Sequence, residues 1–456
     1  MKSETVSFIN CRGRLINMIE IFAVGGYSEF GRNMTAVKIG DEVVIIDMGI
    51  HMENYIKLQG KDDIETIGTR KLLENDAIPK FHLIDEWKDK VKAIIPTHAH
   101  LDHIGAIPFI AKKYKADIVC TPFTAEVIKA IADDKRYRIR NDIKQVNPNS
   151  SYKISEKISV DLINMTHSTP QTVMVRINSN EGDVLYANDF KFDLSPTLGP
   201  KPNFEKLRQI KGVKCLISDC TRSWDAKKTP SESVAKEMLK DVLYGIESQD
   251  NLIVATTFSS HIARLKSMIE VGRQKGREIV MLGRSLEKYV DAGEKVGIID
   301  FSDVNRIRYR DKIKRFLKKV KQDPSRYMLI VTGHQGEPEA ILSDMAYGKI
   351  DYKFNSGDVV IFSCGIIPNE ENEKNREFLE DKLNAKKVRI FRDIHVSGHA
   401  AREELRDLLM MTQPSNIIPA HGYPDMMENM KKLALEMGYD EKSIHLAKNG
   451  DKIIIE

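Results

Sequence analysis

The sequence predicts an α/β protein: a sandwich of sheets and helices interrupted by an inserted α/β domain. Three observations carry this. Short β-branched runs alternate with stretches of helical spacing through the middle of the chain, antiparallel hairpin patterns stand at both ends, and 456 residues are more than one core accommodates. Strand-like runs open the chain at 19–24, 35–39 and 43–47, the last two joined by a Gly40-Asp41 turn. Further runs follow at 91–96, 172–177, 183–187, 215–219, 251–256, 277–282, 328–332, 358–362 and 387–391. Helical spacing fits 231–246, 261–274, 311–321, 337–347, 372–383 and 403–411. At the C-terminus, 443–446 and 452–455 flank an Asn449-Gly450 turn and predict a terminal hairpin.

Composition excludes several function classes. With 41% hydrophobic and 30% charged residues, the chain is an ordinary globular one rather than disordered. Its formal charge of +4 is nearly balanced, so a polyanion would need a local basic groove. The five cysteines (Cys11, Cys120, Cys215, Cys220, Cys364) form no C-x-x-C pair, which fits a reducing cytoplasm and argues against disulfides or a cysteine-zinc site. Residues 1–17 are polar and carry Arg12 and Arg14, so no signal peptide is expected, and no apolar run is long enough for a membrane span.

The most informative stretch is Thr97-His98-Ala99-His100-Leu101-Asp102-His103, which gathers three of the chain's 12 histidines directly after an apolar run. Imidazole nitrogen and carboxylate oxygen are ligands of Zn²⁺ and its neighbours. His98 and His100, two apart in extended chain, point the same way; Asp102 and His103 diverge and suit a second centre. His167, Asp189 and His421 each follow a strand-like run, where a rigid sheet can aim ligands into one cleft. Singly, these read as hydrogen-bonded loop histidines and a turn former. Together with the first cluster they complete two metal shells. Asp47, ending the 43–47 run, is better suited to orient a ligand histidine.

In residues and in order along the chain, this set resembles the metallo-β-lactamase superfamily. The resemblance implies an αββα sandwich with a dinuclear zinc site: His98, His100 and His167 for one ion, Asp102, His103 and His421 for the other, Asp189 bridging. Mn²⁺ or Mg²⁺ are the expected substitutes. The long gap between Asp219 and His399 implies an insertion, and Asp219, His399 and His421 are similar to the motifs of the β-CASP nucleases. Within that group, Phe258-Ser259-Ser260-His261, Gly283-Arg284-Ser285-Leu286-Glu287-Lys288 and Thr332-Gly333-His334-Gln335-Gly336-Glu337-Pro338 resemble ribonuclease J of the archaeal type. The implied domains are a metallo-β-lactamase part at 1–222, a β-CASP insertion at 223–389 and a second metallo-β-lactamase part at 390–456. Two departures from bacterial ribonuclease J are expected, the absence of its C-terminal domain and His334 in place of a small residue. The expected absence of an N-terminal KH-type extension counts against the archaeal relatives of the polyadenylation nuclease.

The resemblance implies a zinc-dependent 5′-to-3′ exoribonuclease on single-stranded RNA, cytoplasmic and homodimeric, favouring 5′-monophosphate ends. Two such ions activate water and clamp a phosphate oxygen; Asp102 sits at this centre, and His399 backed by Asp219 is the expected proton donor to the leaving 3′ oxygen. Ser397-Gly398-His399-Ala400 is the candidate 5′-phosphate nest. Gly333-His334-Gln335-Gly336 either forms its opposing wall or is a tight connection to the following helix. Arg264, Arg284 and Lys288 either line the RNA path or lie on solvated helix faces. The alternatives are an endonuclease of the polyadenylation-factor type, a DNA-repair nuclease, a thioester or lactone hydrolase, and a non-catalytic RNA-processing subunit. The last predicts a lost ligand, and none is missing from the motifs.

Overall fold

The computed structural model describes residues 18–59, 67–134, 137–246, 250–350, 352–367 and 369–456. The N-terminal segment 1–17, with Cys11, lies outside the described residues. Two sheets form the sandwich. The first runs in the order Lys452–Ile455, Ile19–Gly25, Met34–Ile39, Glu42–Ile46, Val91–Ile95, Asp117–Cys120, Ile143–Gln145. Its first four strands pair antiparallel and the rest parallel. The second runs Ile417–Ala420, Cys215–Asp219, Val184–Ala187, Val173–Asn178, Ser159–Asn164, Ser151–Lys153.

Alternation in the strands explains the layering. Along Glu42–Ile46, Val44 and Ile46 face the inner core with Val37, Leu162, Val175 and Ile217. Val43 and Ile45 face outward onto Trp87, Phe123 and Ile128. Both faces are covered, so the run is continuously apolar. The outer face of the second sheet, through Leu185 and Leu216, packs on Leu405, Leu408 and Leu433 of the helices Arg402–Thr412 and Pro424–Glu436. The result is the αββα sandwich.

The insertion is a third, wholly parallel sheet ordered Asn305–Ile307, Glu278–Leu282, Tyr327–Val331, Ile253–Thr256, Val359–Phe362, Arg389–Phe391. Its last strand straddles the expected boundary between residues 389 and 390. Helix Arg284–Lys295 seats the insertion on helix Pro122–Asp134 of the sandwich, where Asp134 pairs with Lys288 and with Arg308.

One expectation fails. The terminal hairpin does not form: Lys452–Ile455 pairs with the strand at Ile19, whereas Ile444 bridges to Ile417 in the other sheet. The Asn449-Gly450 turn hands the chain from one sheet edge to the other, with the Gly450 N–H donating to Ala23 O at 2.7 Å. By contrast, the Gly40-Asp41 hairpin is present, Ile39 pairing Glu42 across a Gly40 at φ 57°.

Candidate metal centre and active site

Strand Val91–Ile95 leads into a bend at His98 and Ala99, and His100 is extended before the single turn Leu101–Ile104. His98 Nε2 and His100 Nδ1 lie 3.1 Å apart, and His167 Nε2 is 3.1 Å from the same His100 atom. Asp189 Oδ2 stands 3.5 Å from both His98 Nε2 and His167 Nε2. Its other oxygen, Oδ1, faces a second group, 3.2 Å from His103 Nε2 and 3.5 Å from His421 Nε2. Asp102 Oδ2 completes that group at 3.5 Å from His103 and 3.9 Å from His421. Ligands about 2.0–2.1 Å from a tetrahedral ion stand about 3.3–3.4 Å from one another, and these separations cluster there.

The donor chemistry fits a divalent metal as well. Asp189 Oδ1 and His421 Nε2 are buried without a hydrogen-bond partner, which a native core rarely tolerates. Every ligand histidine has its remote nitrogen held. His103 Nδ1 meets Asp47 Oδ2 at 2.7 Å; His98 Nδ1 meets Thr97 Oγ1 at 2.9 Å, and Thr97 in turn donates to Asp47. His167 Nδ1–H donates to Gly398 O at 2.8 Å, His421 Nδ1–H to Asn33 Oδ1 at 3.0 Å, and His100 Nε2 meets Ser168 Oγ at 3.1 Å. These contacts fix ring orientation and tautomer, leaving the inward nitrogens free to ligate. Asp47, Asp189 and His421 all adopt positive φ, 60°, 52° and 52°. Such turns beyond strand ends cost energy and aim side chains inward.

Burial, reinforced by neighbouring imidazoles, pushes His98, His100 and His167 well below the ordinary histidine range, so the neutral ligating form prevails. Burial acts on His103 too, but the carboxylates of Asp189, Asp47 and Asp102 outweigh it and raise that ring. Such a position favours a cation, as proton or metal.

Beside the ligands stands a second kind of group. His399 Nδ1 is 2.8 Å from Asp219 Oδ2, and its Nε2 is 4.0 Å from Asp189 Oδ2. Asp219 is fixed by the Thr221 N–H at 2.7 Å and hydroxyl at 2.5 Å. Burial works against protonation of His399, but Asp219 and Asp189 overcome it and lift the ring to about 9. The Asp219 pairing favours the protonated ring.

The other predicted residues divide. Ser397 Oγ accepts the His399 N–H at 3.1 Å, and the Ala400 N–H donates to Phe190 O, so neither of those amides is free to join an anion nest. Gly398 packs so closely that a Cβ there would meet His167 Cε1 at 2.8 Å. In the insertion, the Gln335 N–H donates to Glu337 at 2.8 Å and the Gly336 N–H to Gly333 O at 3.2 Å. His334 lies on Phe258, with ring centroids 4.3 Å apart. Both amides are therefore engaged within the loop, and the following helix begins only at Ile341. Arg264 is the clear correction: it is 0% exposed, bonded to Glu232, Ser363 and Ile394, and cannot line an RNA path. Lys288 is paired to Asp134, while Arg284 is exposed at its helix start. Sequence reasoning missed Asn33, Ser168 and Phe30, whose ring lies 4.4 Å from that of His421. The glycines Gly25, Gly26 and Gly31 around Phe30 and Asn33 were the available signal, and Ser168 had none beyond its place next to His167.

Fold and site together define a hydrolase of the metallo-β-lactamase superfamily, whose family model matches residues 27–239. Two further models match: "Ribonuclease J, beta-CASP domain" at 250–379 and "Zn-dependent metallo-hydrolase RNA specificity domain" at 386–446. The chain is 40% identical to ribonuclease J of Methanocaldococcus jannaschii, covering 96% of this chain and 99% of that protein. It is 41% identical to ribonuclease J of Pyrococcus abyssi over 96% and 98% of the two chains. For ribonuclease J 1 of Streptococcus pyogenes the identity is 29%, over 96% and 75%. The chain belongs to the ribonuclease J family and is a metal-binding nuclease. A solved protein of unknown function from Enterococcus faecalis V583 shares the fold, with TM-score 0.66 and 17% identity over 96% of this chain and 100% of that one. Among the described residues no helix is long and apolar enough to cross a membrane.

Proposed function

We propose that this chain is a zinc-dependent 5′-to-3′ exoribonuclease that degrades single-stranded RNA from 5′-monophosphate ends, releasing nucleoside monophosphates. The reading further takes it to be a cytoplasmic homodimer with two Zn²⁺ per subunit, organised as 1–222, 223–389 and 390–456. The observation that carries it is the His399–Asp219 pair beside Asp189, whose two oxygens face separate ligand groups. A histidine paired there with an acid, from the strand that precedes a large insertion, suits protonation of a departing 3′ oxygen. The names of the archaeal relatives and the match to an RNA specificity domain favour RNA.

When bound, the two ions supply an activated water and neutralise phosphate charge during in-line displacement. His98, His100 and His167 would hold one, and Asp102, His103 and His421 the other. Asp219 keeps the His399 proton on Nε2, directed at the departing 3′ oxygen. Ser397 and Gly398 flank the position of the terminal phosphate. The test is digestion of RNAs labelled at either end and carrying 5′ monophosphate, triphosphate or hydroxyl groups. Early labelled mononucleotide from the 5′-labelled RNA is expected; 5′-labelled oligonucleotides of several residues instead would establish an endonuclease.

A further inference from the structure

Away from the metals, an open cavity of about 640 Å³ is lined by Lys112, Tyr137, Arg138, Ile139, Arg140, Asn141 and Asp142. Its charge is one-sided. Lys112, Arg138 and Arg140 are exposed and have no carboxylate partner among the described residues, whereas the single lining acid, Asp142, pairs with Lys144 at 3.3 Å. Nearby cations behave differently: Lys288, Arg306 and Arg308 all have acidic partners.

The arrangement is built. Burial alternates along residues 137–140, with Tyr137 and Ile139 half-buried and Arg138 and Arg140 exposed. The Tyr137 ring packs on Phe109 with centroids 4.9 Å apart, and its hydroxyl donates to Ile67 O at 3.2 Å. Asn141 Nδ2 donates to the carbonyls of Ala111, Tyr114 and Ala116 at 3.1, 3.0 and 2.8 Å. That amide stitches the segment of Lys112 to the segment of the two arginines, so like charges are held together against their repulsion. Asp134, three residues before Tyr137 in sequence, pairs with Lys288 and Arg308 of the insertion.

We propose that this cavity is a second anchor for the phosphodiester backbone of single-stranded RNA, engaged only by substrates long enough to reach it from the cleft. The inference rests on RNA being the substrate. An acidic protein partner fits less well, since protein interfaces centre on buried apolar anchors and the two apolar lining residues, Tyr137 and Ile139, are turned into their own fold. A nucleic-acid backbone requires only positioned charge.

The experiment compares wild type with K112E/R138E/R140E, zinc-loaded, on a 5′-monophosphorylated pentanucleotide and on an RNA of about 30 nucleotides. The variant should hydrolyse the pentanucleotide with unchanged kcat/KM. On the longer RNA its KM should rise about tenfold or more, and the salt dependence of binding should lose about 2 in logarithmic slope for three lost phosphate contacts. Equal effects on both lengths, or none on either, overturn the anchor. Polyglutamate competing for the cavity as well as RNA overturns the assignment to nucleic acid. K112Q/R138Q/R140Q, with circular dichroism, repeats the test if charge reversal impairs folding. Anisotropy with the longer RNA reads the cavity even if neither RNA is hydrolysed, which separates failure of the anchor from failure of the proposed activity.

Discussion

Replacing Gly398 with Ala probes how the fold holds His167, a proposed metal ligand. The backbone there is not in the left-handed region, so Ala meets no conformational penalty, and the perturbation is the new methyl group alone. Its carbon would stand 2.8 Å from His167 Cε1 and 2.9 Å from Nδ1. Comfortable separation is about 3.5–4.0 Å, so the ring must retreat by about 0.7 Å or more. The Nδ1–H bond to Gly398 O, now 2.8 Å, lies along the same approach and is stretched out of range. Loss of such an outer partner lowers metal affinity about 10–100-fold, which is about 1.4–2.7 kcal/mol. Zinc titration against a competing chelator reads this directly, and RNA hydrolysis over a zinc series should show activity recovering at high zinc. An affinity equal to that of wild type would refute the claim that Gly398 holds His167.

Four other outcomes are expected. His98→Ala or Asp102→Ala should abolish RNA hydrolysis while the far-ultraviolet circular dichroism stays native; full activity in either would remove the metal mechanism. His399→Ala should keep its zinc, measured by atomic absorption, and lose about 10²–10⁴-fold in kcat. Glu232→Gln leaves the wholly buried Arg264 without its counter-charge and should cost about 3–5 kcal/mol in urea denaturation, whereas a loss under about 1 kcal/mol would mean the pair behaves like a surface one. His395 is held down to about 3 by burial, with repulsion from Arg264, His261 and Lys191 adding and Glu232 opposing. Below about pH 6.5 the unfolded chain protonates this histidine and the folded one does not, so stability falls as pH drops toward 3, by at most about 1.4 kcal/mol per unit. His395→Leu should flatten that slope between pH 7 and 5; parallel curves would count against it.

The strands of the sandwich and most of the site were legible because both obey short-range rules. Alternating or continuous apolar runs mark strands, and ligands cluster where strands end, so His98, Asp189 and His421 stood out. Short polar edge strands such as Ser151–Lys153 carry no such pattern, and helix Pro122–Asp134 reads as a mixed apolar stretch until its partner helix is known. Asn33 and Phe30 are ordinary residues in a glycine-rich loop, and only the folding of that loop against Gly422 reveals them. Arg264 was misread for a related reason: helical periodicity cannot tell an arginine on a solvated face from one buried at a junction.

That junction explains why so large an insertion leaves the metal centre intact. Strand Cys215–Asp219 pairs in parallel with Ile417–Ala420, Asp219 opposite Ala420, so the chain leaves and rejoins the second sheet at neighbouring strands. Thr221 Oγ1 lies 2.9 Å from His421 O across 200 residues of sequence. The outgoing limb passes Glu232 and the returning limb passes Ile394, and Arg264 of the insertion bonds both. Immediately beyond Ile394 the returning limb supplies Gly398, which braces His167, and His399, which meets Asp219. The site is therefore complete only when the insertion is docked. Arg264 thus ties the limb that carries Gly398 and His399 to the limb that carries Glu232.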